Sequence, residues 1–155
     1  EVAQALRAVV PRRIALGARI TGTDWLDGGV TVEDAVALAR ALKEDGLDYL
    51  CVSSGGLTME ARNPTKPGYN TELSERIRKE AGIACRVVGL IVEPRQAEAI
   101  IAEGHADMVA LGRAMLDHPH WGWHAAAELG AEVKRPVQYL RSGPKLWSGR
   151  SVATK

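Results

Sequence analysis

The sequence lacks a charge excess of either sign and contains no apolar run long enough to cross a membrane. Its 155 residues include 20 basic and 19 acidic side chains, for a formal net charge of +1. This balance argues against nucleic acid or an anionic membrane as the main partner, and a spanning helix needs about 20 apolar residues. The first residues also lack the basic and apolar segments of a secretory signal. We therefore expect a globular cytoplasmic protein, and a length of this order is typical of a single domain.

Cysteine is also scarce, and the histidines lack the partners of a metal site. Cys51 and Cys85 each lie inside an apolar run, and neither belongs to a Cys-x-x-Cys pair. Disulfide frameworks are typical of small secreted proteins, so the sequence favours two buried, reduced thiols. His118, His120 and His124 have no thiolate or carboxylate at ligand spacing, so we predict surface or capping histidines and no metal.

What the sequence does contain is a regular alternation of two kinds of segment. Short apolar runs, typical of strands buried on both faces, cover residues 14–21, 47–53, 85–91 and 106–112. Apolar stripes at helical spacing cover residues 31–45, 71–81 and 94–103. Strands and helices that alternate in this way predict a parallel sheet of the α/β class.

Local signals mark where the predicted helices begin and end. Thr31 and Asp34 have the spacing of a capping box, Thr71 is the predicted cap of the next helix, and Pro94 suits the first turn of the third. A glycine follows each helix as the expected stop, at positions 46, 82 and 104.

The length leaves two architectures open. A doubly wound sheet of four or five strands fits 155 residues, whereas a closed eight-stranded barrel takes about 250. The regular spacing favours a barrel, as does a last strand that runs through Gly112 and Arg113 into a short helical stretch, because barrels bind phosphate after their last two strands. Residues 1–141 are therefore predicted to be the C-terminal half of a TIM (β/α)8 barrel, with parallel strands five to eight. Residues 142–155 are predicted to be a tail that docks on a neighbouring subunit.

Several ordered motifs carry a resemblance to a known family. Residues 106–121 read ADMVALGRAMLDHPHW, and residues 19–25 read RITGTDW. The first resembles the closing segment, and the second the arginine-containing strand, of the Old Yellow Enzyme family of FMN-dependent ene-reductases. Residues 52–56, 68–69 and 88–91 match in order and spacing, and residues 136–141 are similar to the tail of its thermophilic-like branch. The resemblance covers roughly residues 1–141 and implies FMN, reduced by NADPH or NADH, and an α,β-unsaturated carbonyl substrate.

The resemblance also implies where the flavin ring lies. Arg19 matches an arginine beside the flavin N1/O2 edge, where a fixed cation stabilises the negative charge of the reduced ring. An arginine on an otherwise apolar strand needs a partner, and from the residues alone an ion pair with Asp48 is an equally good explanation. Ser53, at the end of the second strand, is a candidate for a hydrogen bond to the ribityl chain, or a simple turn hydroxyl.

The phosphate and substrate positions follow from the same matches. Gly112 and Arg113 match the phosphate-binding pair, in which glycine allows close approach and arginine clamps the anion. Gly89 matches a backbone contact to the same phosphate, with close packing inside the strand as the alternative. Arg141 matches an arginine that reaches into a neighbouring subunit's active site, with a disordered terminal charge as the alternative.

Other catalytic groups of the family lie outside this sequence. The histidine pair that anchors the substrate, the proton-donating tyrosine and the flavin-tuning cysteine or threonine belong to the first half of the barrel. We therefore expect an NAD(P)H-dependent ene-reductase that works only when an N-terminal half-barrel, from the same protein or a second chain, completes it. Open sheet edges favour association, so a homo-oligomer is expected. The alternative is a non-catalytic FMN- or phosphate-binding half-barrel, or a self-associating fragment.

Overall fold

Four parallel strands lie side by side in chain order in the computed structural model, which describes residues 1–143, 146 and 147. They are β1 (Gly17–Thr21), β2 (Tyr49–Ser53), β3 (Ala84–Val88) and β4 (Met108–Ala110). Each strand pairs with its predecessor in parallel register. The structure thus confirms the α/β class and the parallel sheet, and each strand is shorter than its predicted apolar run.

Helices precede the first strand, lie between the strands and follow the last one. They are α1 (Val2–Val9), α2 (Val32–Glu44), α3 (Thr71–Ala81), α4 (Pro94–Ala102), α5 (Arg113–Asp117) and α6 (Trp121–Glu128), with a 3₁₀ helix at Val137–Ser142. The bounds of α2, α3 and α4 agree with the predicted ones to within one residue. Helix α1 was not predicted.

The predicted helix ends are mostly confirmed. The amide N–H of Asp34 donates to Thr31 Oγ1 at 3.2 Å, and the Thr31 N–H donates to Asp34 Oδ2 at 3.0 Å. This reciprocal capping box stabilises the start of α2 by about 1 kcal/mol. Gly82 ends α3 with a φ of +63°, a left-handed conformation that glycine adopts freely. The cap of α3 was predicted wrongly, because Asn70 rather than Thr71 is its N-cap residue.

The core lies between one face of the sheet and its helices. Leu50, Val52 and Cys85 are fully buried there, and the main core cluster adds Ala39 from α2 and Ile77 from α3. A second cluster, built on Val87, Ile91, Ala97, Ile100 and Ala106, joins the other half of the sheet to α4. Coverage of this one face accounts for every second residue of the apolar runs, because successive side chains of a strand point to opposite faces.

The other face of the sheet carries a different set of side chains, and we call it the second face. Its central row is Arg19, Cys51, Arg86 and Met108, which are aligned by the strand register. Arg19 and Met108 are exposed, and the Arg86 guanidinium lies 5.4 Å from the ring centre of Tyr49. Cys51 belongs to this face and Cys85 to the core face, so the prediction of two free, buried thiols is confirmed.

Arg7 explains why the first strand starts later than predicted. It is only 8% exposed, and its guanidinium donates to the carbonyl oxygens of Val10 (2.8 Å) and Pro11 (3.1 Å) and to Asp48 Oδ2 (3.1 Å). A buried arginine is tolerated when its charge is paired, and here both terminal nitrogens have acceptors whereas Nε has none. The chain turns around the guanidinium before β1 can begin, and Asp48 is the partner of Arg7 rather than of Arg19.

We predict that His105 makes stability depend on pH. Its Nδ1 lies 2.7 Å from a Glu75 oxygen and its Nε2 lies 3.0 Å from a Glu103 oxygen. These hydrogen bonds, with the one to Glu75 the larger cause, raise the pKa of His105 above its ordinary 6.5. The stabilisation is therefore complete below pH 6.5 and is lost as the pH rises through the raised pKa. In urea unfolding from pH 5 upwards, the free energy of unfolding should decline more steeply for the native chain than for His105→Gln. Equal slopes would contradict the prediction.

Candidate functional site

The carboxyl ends of the four strands meet at one edge of the sheet. We call this the C-terminal edge, and it comprises Thr21, Ser53, Val88 and Ala110 with the loops that follow them. Active sites of parallel α/β proteins lie at this edge, because loops from neighbouring strands converge there. Of the predicted site residues, Ser53, Gly89 and the pair Gly112–Arg113 lie at the C-terminal edge.

Arg19 lies below the C-terminal edge, in the middle of β1 on the second face. Its backbone is aligned with Cys51, and its side chain is exposed. No side chain in the described part of the protein forms a hydrogen bond or an ion pair with it, and Asp48 is already bound to Arg7. The positive charge of Arg19 is therefore free for a ligand that approaches the second face.

Gly89 directly follows β3 in a conformation that only glycine adopts readily. Its φ is +141°, and a Cβ at this position would lie 3.0 Å from Cε1 of Tyr69. The residue is buried, yet its amide N–H finds no acceptor among the described residues. A buried N–H without a partner is uncommon in native proteins, so the position is suited to a ligand acceptor as well as to close packing.

Gly112 and Arg113 follow β4, the neighbouring strand. Gly112 is the N-cap residue of α5, and a Cβ built on it would have no atom within 4 Å. Packing therefore does not require glycine here, and a ligand group has room to approach the backbone. Arg113 is exposed and forms no hydrogen bond or ion pair with any described residue, so its charge is also free.

Ser53 has a structural partner. Its Oγ donates to the carbonyl oxygen of Ile20 at 3.3 Å, which ties the end of β2 to β1. A contact to the ribityl chain, as predicted, would have to share this hydroxyl. The neighbouring Ser54 belongs to a hydrogen-bond chain that sequence reasoning did not find.

This hydrogen-bond chain, which we call the edge network, connects the loop after β1, the loop after β2 and the last residue of β3. Trp25 Nε1 donates to Ser54 Oγ (2.7 Å), Ser54 Oγ donates to Asn70 Oδ1 (2.6 Å), and Asn70 Nδ2 donates to the Val88 carbonyl oxygen (2.7 Å). Asn70 is fully buried. The only sequence signal was an asparagine before a predicted helix, which ordinarily indicates a cap. Here the Asn70 side chain makes no capping hydrogen bond.

Arg141 lies apart from these groups, in the 3₁₀ helix Val137–Ser142, and is exposed. Within the described residues it forms no hydrogen bond or ion pair. Of the predicted tail, only residues 142, 143, 146 and 147 are described. The predicted docking of the remaining tail residues lies outside the described residues.

These residues suit an anionic ligand such as the phosphate of FMN. Arg19 and Arg113 offer guanidinium groups without described partners, and Gly89 offers a buried N–H without an acceptor. A buried N–H ordinarily has a partner, and an exposed, unpaired guanidinium can bind an anion without breaking another hydrogen bond. The room in front of Gly112 would let a phosphate come close to the backbone.

Comparison with known families identifies the family to which a chain with this edge belongs. Residues 1–132 match the model of the NADH:flavin oxidoreductase / NADH oxidase family. The chain belongs to this family. The match includes all four strands and confirms the resemblance stated from the sequence motifs.

Individual relatives agree with this assignment. The chain is 45% identical over 123 residues to an NADPH dehydrogenase of Geobacillus thermodenitrificans, and 44% identical to one of Geobacillus sp. strain WCH70. It is 40% identical over 124 residues to an NADPH dehydrogenase of Listeria welshimeri. These alignments cover 79–80% of this chain but only 36% of each relative. The family and these names confirm the predicted cofactors, FMN and NADPH, as those of the family.

No helix within the described ranges is both long enough and apolar enough to cross a bilayer.

We predict that Gly89 is required by the fold itself. Gly89→Ala places a Cβ against the Tyr69 ring at a φ of +141° and should lower the free energy of unfolding by about 1–3 kcal/mol. The matched control is Gly122→Ala in α6, where nothing lies within 4 Å and alanine favours the helix. Urea denaturation should show a loss for the first variant and none for the second. Similar stability of both variants would argue against the strained conformation.

Proposed function

We propose that this chain is the FMN-phosphate side of an NADPH-dependent flavin ene-reductase. The observation that carries the proposal is the arrangement at the C-terminal edge. Gly89 follows β3 and the pair Gly112–Arg113 follows the adjacent β4. Family membership supplies the cofactor class, and the free charges of Arg113 and Arg19 support binding of an anion.

We also propose that the chain is half of a barrel. The strand order β1-β2-β3-β4 follows the chain, whereas doubly wound sheets reverse their order at a switch point. Helices α2, α3 and α4 pack on one face, as they do around a barrel. The 36% coverage of the relatives supports a partner half that supplies the remaining strands, from the same protein or a second chain.

Each residue has a defined part in this proposal. Arg113 and the backbone of Gly89 and Gly112 would hold the phosphate, and Ser53 would contact the ribityl chain. The Arg19 guanidinium would face the flavin ring and stabilise negative charge there. When bound, FMN supplies hydride transfer from NADPH to the activated C=C bond of the substrate. The proton for the other carbon, and the groups that polarise the substrate carbonyl, would come from the partner half.

Two further expectations remain proposals. Arg141 is exposed, which leaves it free to reach a neighbouring subunit's substrate site in a homo-oligomer. Its loss would then affect substrate use rather than flavin binding. The cytoplasmic location is supported by the two free thiols, which are typical of a reducing compartment.

A non-catalytic, self-associating half-barrel is the second candidate. The exposed Arg19 and Met108 on the second face favour it, because a parallel sheet is ordinarily covered on both faces. Native mass spectrometry of the 155-residue chain separates the two candidates. A flavin-free homodimer supports self-association, and a species that retains FMN supports the cofactor-binding proposal.

We predict that Arg113→Ala weakens FMN binding about ten-fold or more, because it removes charge-assisted hydrogen bonds to the phosphate. The matched control is Arg13→Ala, since Arg13 is also exposed but precedes β1 at the opposite edge. Quenching of flavin fluorescence in a titration gives both dissociation constants. Equal constants for the two variants would place the phosphate elsewhere.

The enone-reducing activity is tested in a chimaera. The 123 aligned residues of the Geobacillus thermodenitrificans enzyme are replaced by those of this chain, and NADPH oxidation is measured with 2-cyclohexen-1-one. We expect the chimaera to reduce the enone and the 155-residue chain alone to show no turnover. A chimaera that binds FMN and oxidises NADPH but leaves the enone intact would contradict the substrate class. Turnover by the chain alone would contradict the need for a partner half.

A further inference from the structure

The peptide groups on both sides of Gly89 are held by one short segment that precedes α3. The Val88 carbonyl oxygen accepts a hydrogen bond from Asn70 Nδ2 at 2.7 Å. The Gly89 carbonyl oxygen accepts one from the Gly68 N–H at 2.9 Å. Both carbonyl groups are therefore directed towards the 68–70 segment.

The direction of these carbonyl groups determines the direction of the neighbouring amides. No peptide bond among the described residues is cis, and in a trans peptide the N–H points opposite to the C=O. The Val88 carbonyl and the Gly89 N–H belong to the same peptide. Because Asn70 holds that carbonyl, it also directs the Gly89 N–H away from the 68–70 segment. This is the buried N–H that has no acceptor among the described residues.

Asn70 is itself held firmly. It is fully buried, so water does not compete for its amide. Its Oδ1 accepts from Ser54 Oγ at 2.6 Å, and Ser54 Oγ accepts from Trp25 Nε1 at 2.7 Å. The donors and acceptors of the edge network run in one direction, an arrangement in which hydrogen bonds strengthen one another. The carboxamide of Asn70 thus cannot rotate without breaking bonds on both of its sides.

The local backbone needs such support. Gly89 has a φ of +141°, and Leu90, which is not a glycine, has a φ of +48°. Conformations of this kind persist only where the surroundings hold them, and they cluster at ligand sites. The Asn70 side chain makes no capping hydrogen bond to its own helix, and its two described side-chain hydrogen bonds are those to Ser54 and to the Val88 carbonyl oxygen.

We propose that Asn70 is a positioning residue for the cofactor: it holds the Gly89 amide in the orientation that binds the FMN phosphate. The inference rests on the proposed function, because it takes Gly89 as a phosphate contact. Asn70 acts through the backbone and does not touch the ligand.

The test compares FMN with riboflavin, which has the same ring and ribityl chain but no phosphate. Both ligands are titrated into the 155-residue chain and into its Asn70→Ala variant. We expect FMN affinity to fall about ten-fold, the equivalent of one lost hydrogen bond, while riboflavin affinity changes less than about two-fold. A role in folding alone would lower both affinities equally, and that result would overturn the proposal, as would an unchanged ratio.

Two further variants keep the test decisive. Ser74→Ala is the matched control, because Ser74 is also fully buried in α3 but its Oγ has no hydrogen-bond partner. It should leave the ratio of the two affinities unchanged. If Asn70→Ala does not fold, Ser54→Ala loosens Asn70 by removing one of its bonds and should lower the ratio in the same direction. An unchanged ratio in folded Ser54→Ala would then overturn the proposal.

The failure of the proposed function has a different signature. If the native chain binds FMN no better than riboflavin, the phosphate is not recognised and the assignment of Gly89, Gly112 and Arg113 is wrong. If the native chain prefers FMN and Asn70→Ala keeps that preference, only the positioning role is wrong.

Discussion

A parallel sheet is stable only when both of its faces are covered, and the rest of this structure depends on that constraint. On one face, α2, α3 and α4 bury Leu50, Val52 and Val87 completely. On the second face, Arg19 and Met108 are exposed, and within the described residues β1 and β4 each pair on one side only. One face of the sheet is therefore well packed, whereas the second face is partly exposed. The exposed face is the surface that the proposed partner half would cover.

The arginines show how structural and functional charges differ in this chain. Arg7 is 8% exposed, and its guanidinium bonds to carbonyl oxygens and to Asp48. These bonds hold the segment that precedes β1, although Nε of Arg7 has no partner. Arg19 and Arg113 are exposed and have no described partners, one on the second face and one at the C-terminal edge. Each guanidinium can bind an anion without first breaking a hydrogen bond to a described residue, which is why we propose both arginines as contacts of the cofactor.

Features that depend on local sequence were predictable, and features that depend on distant contacts were not. Hydrophobic period gave the order of strands and helices, and Thr31 with Asp34 gave the cap of α2. The late start of β1 escaped prediction because it depends on Arg7, which reaches Asp48 across 41 positions. The edge network escaped for the same reason, since Ser54 and Asn70 meet only after β2 and α3 are packed. Helix α1 was missed although Val2, Leu6 and Val9 have helical spacing, because it lacks the end signals of the other helices: Glu1 makes no side-chain capping hydrogen bond and no glycine follows Val9.

The edge network also bears on how the chain could bind phosphate with so few charged groups. An amide that must be oriented when a ligand arrives loses conformational freedom, and the affinity falls accordingly. Here the Gly89 N–H is oriented beforehand by Asn70, whose own position is fixed through Ser54. The conformational cost of the positive φ at Leu90 is met during folding rather than during binding. A residue that does not touch the ligand can in this way contribute to phosphate recognition, through the backbone carbonyl that it holds.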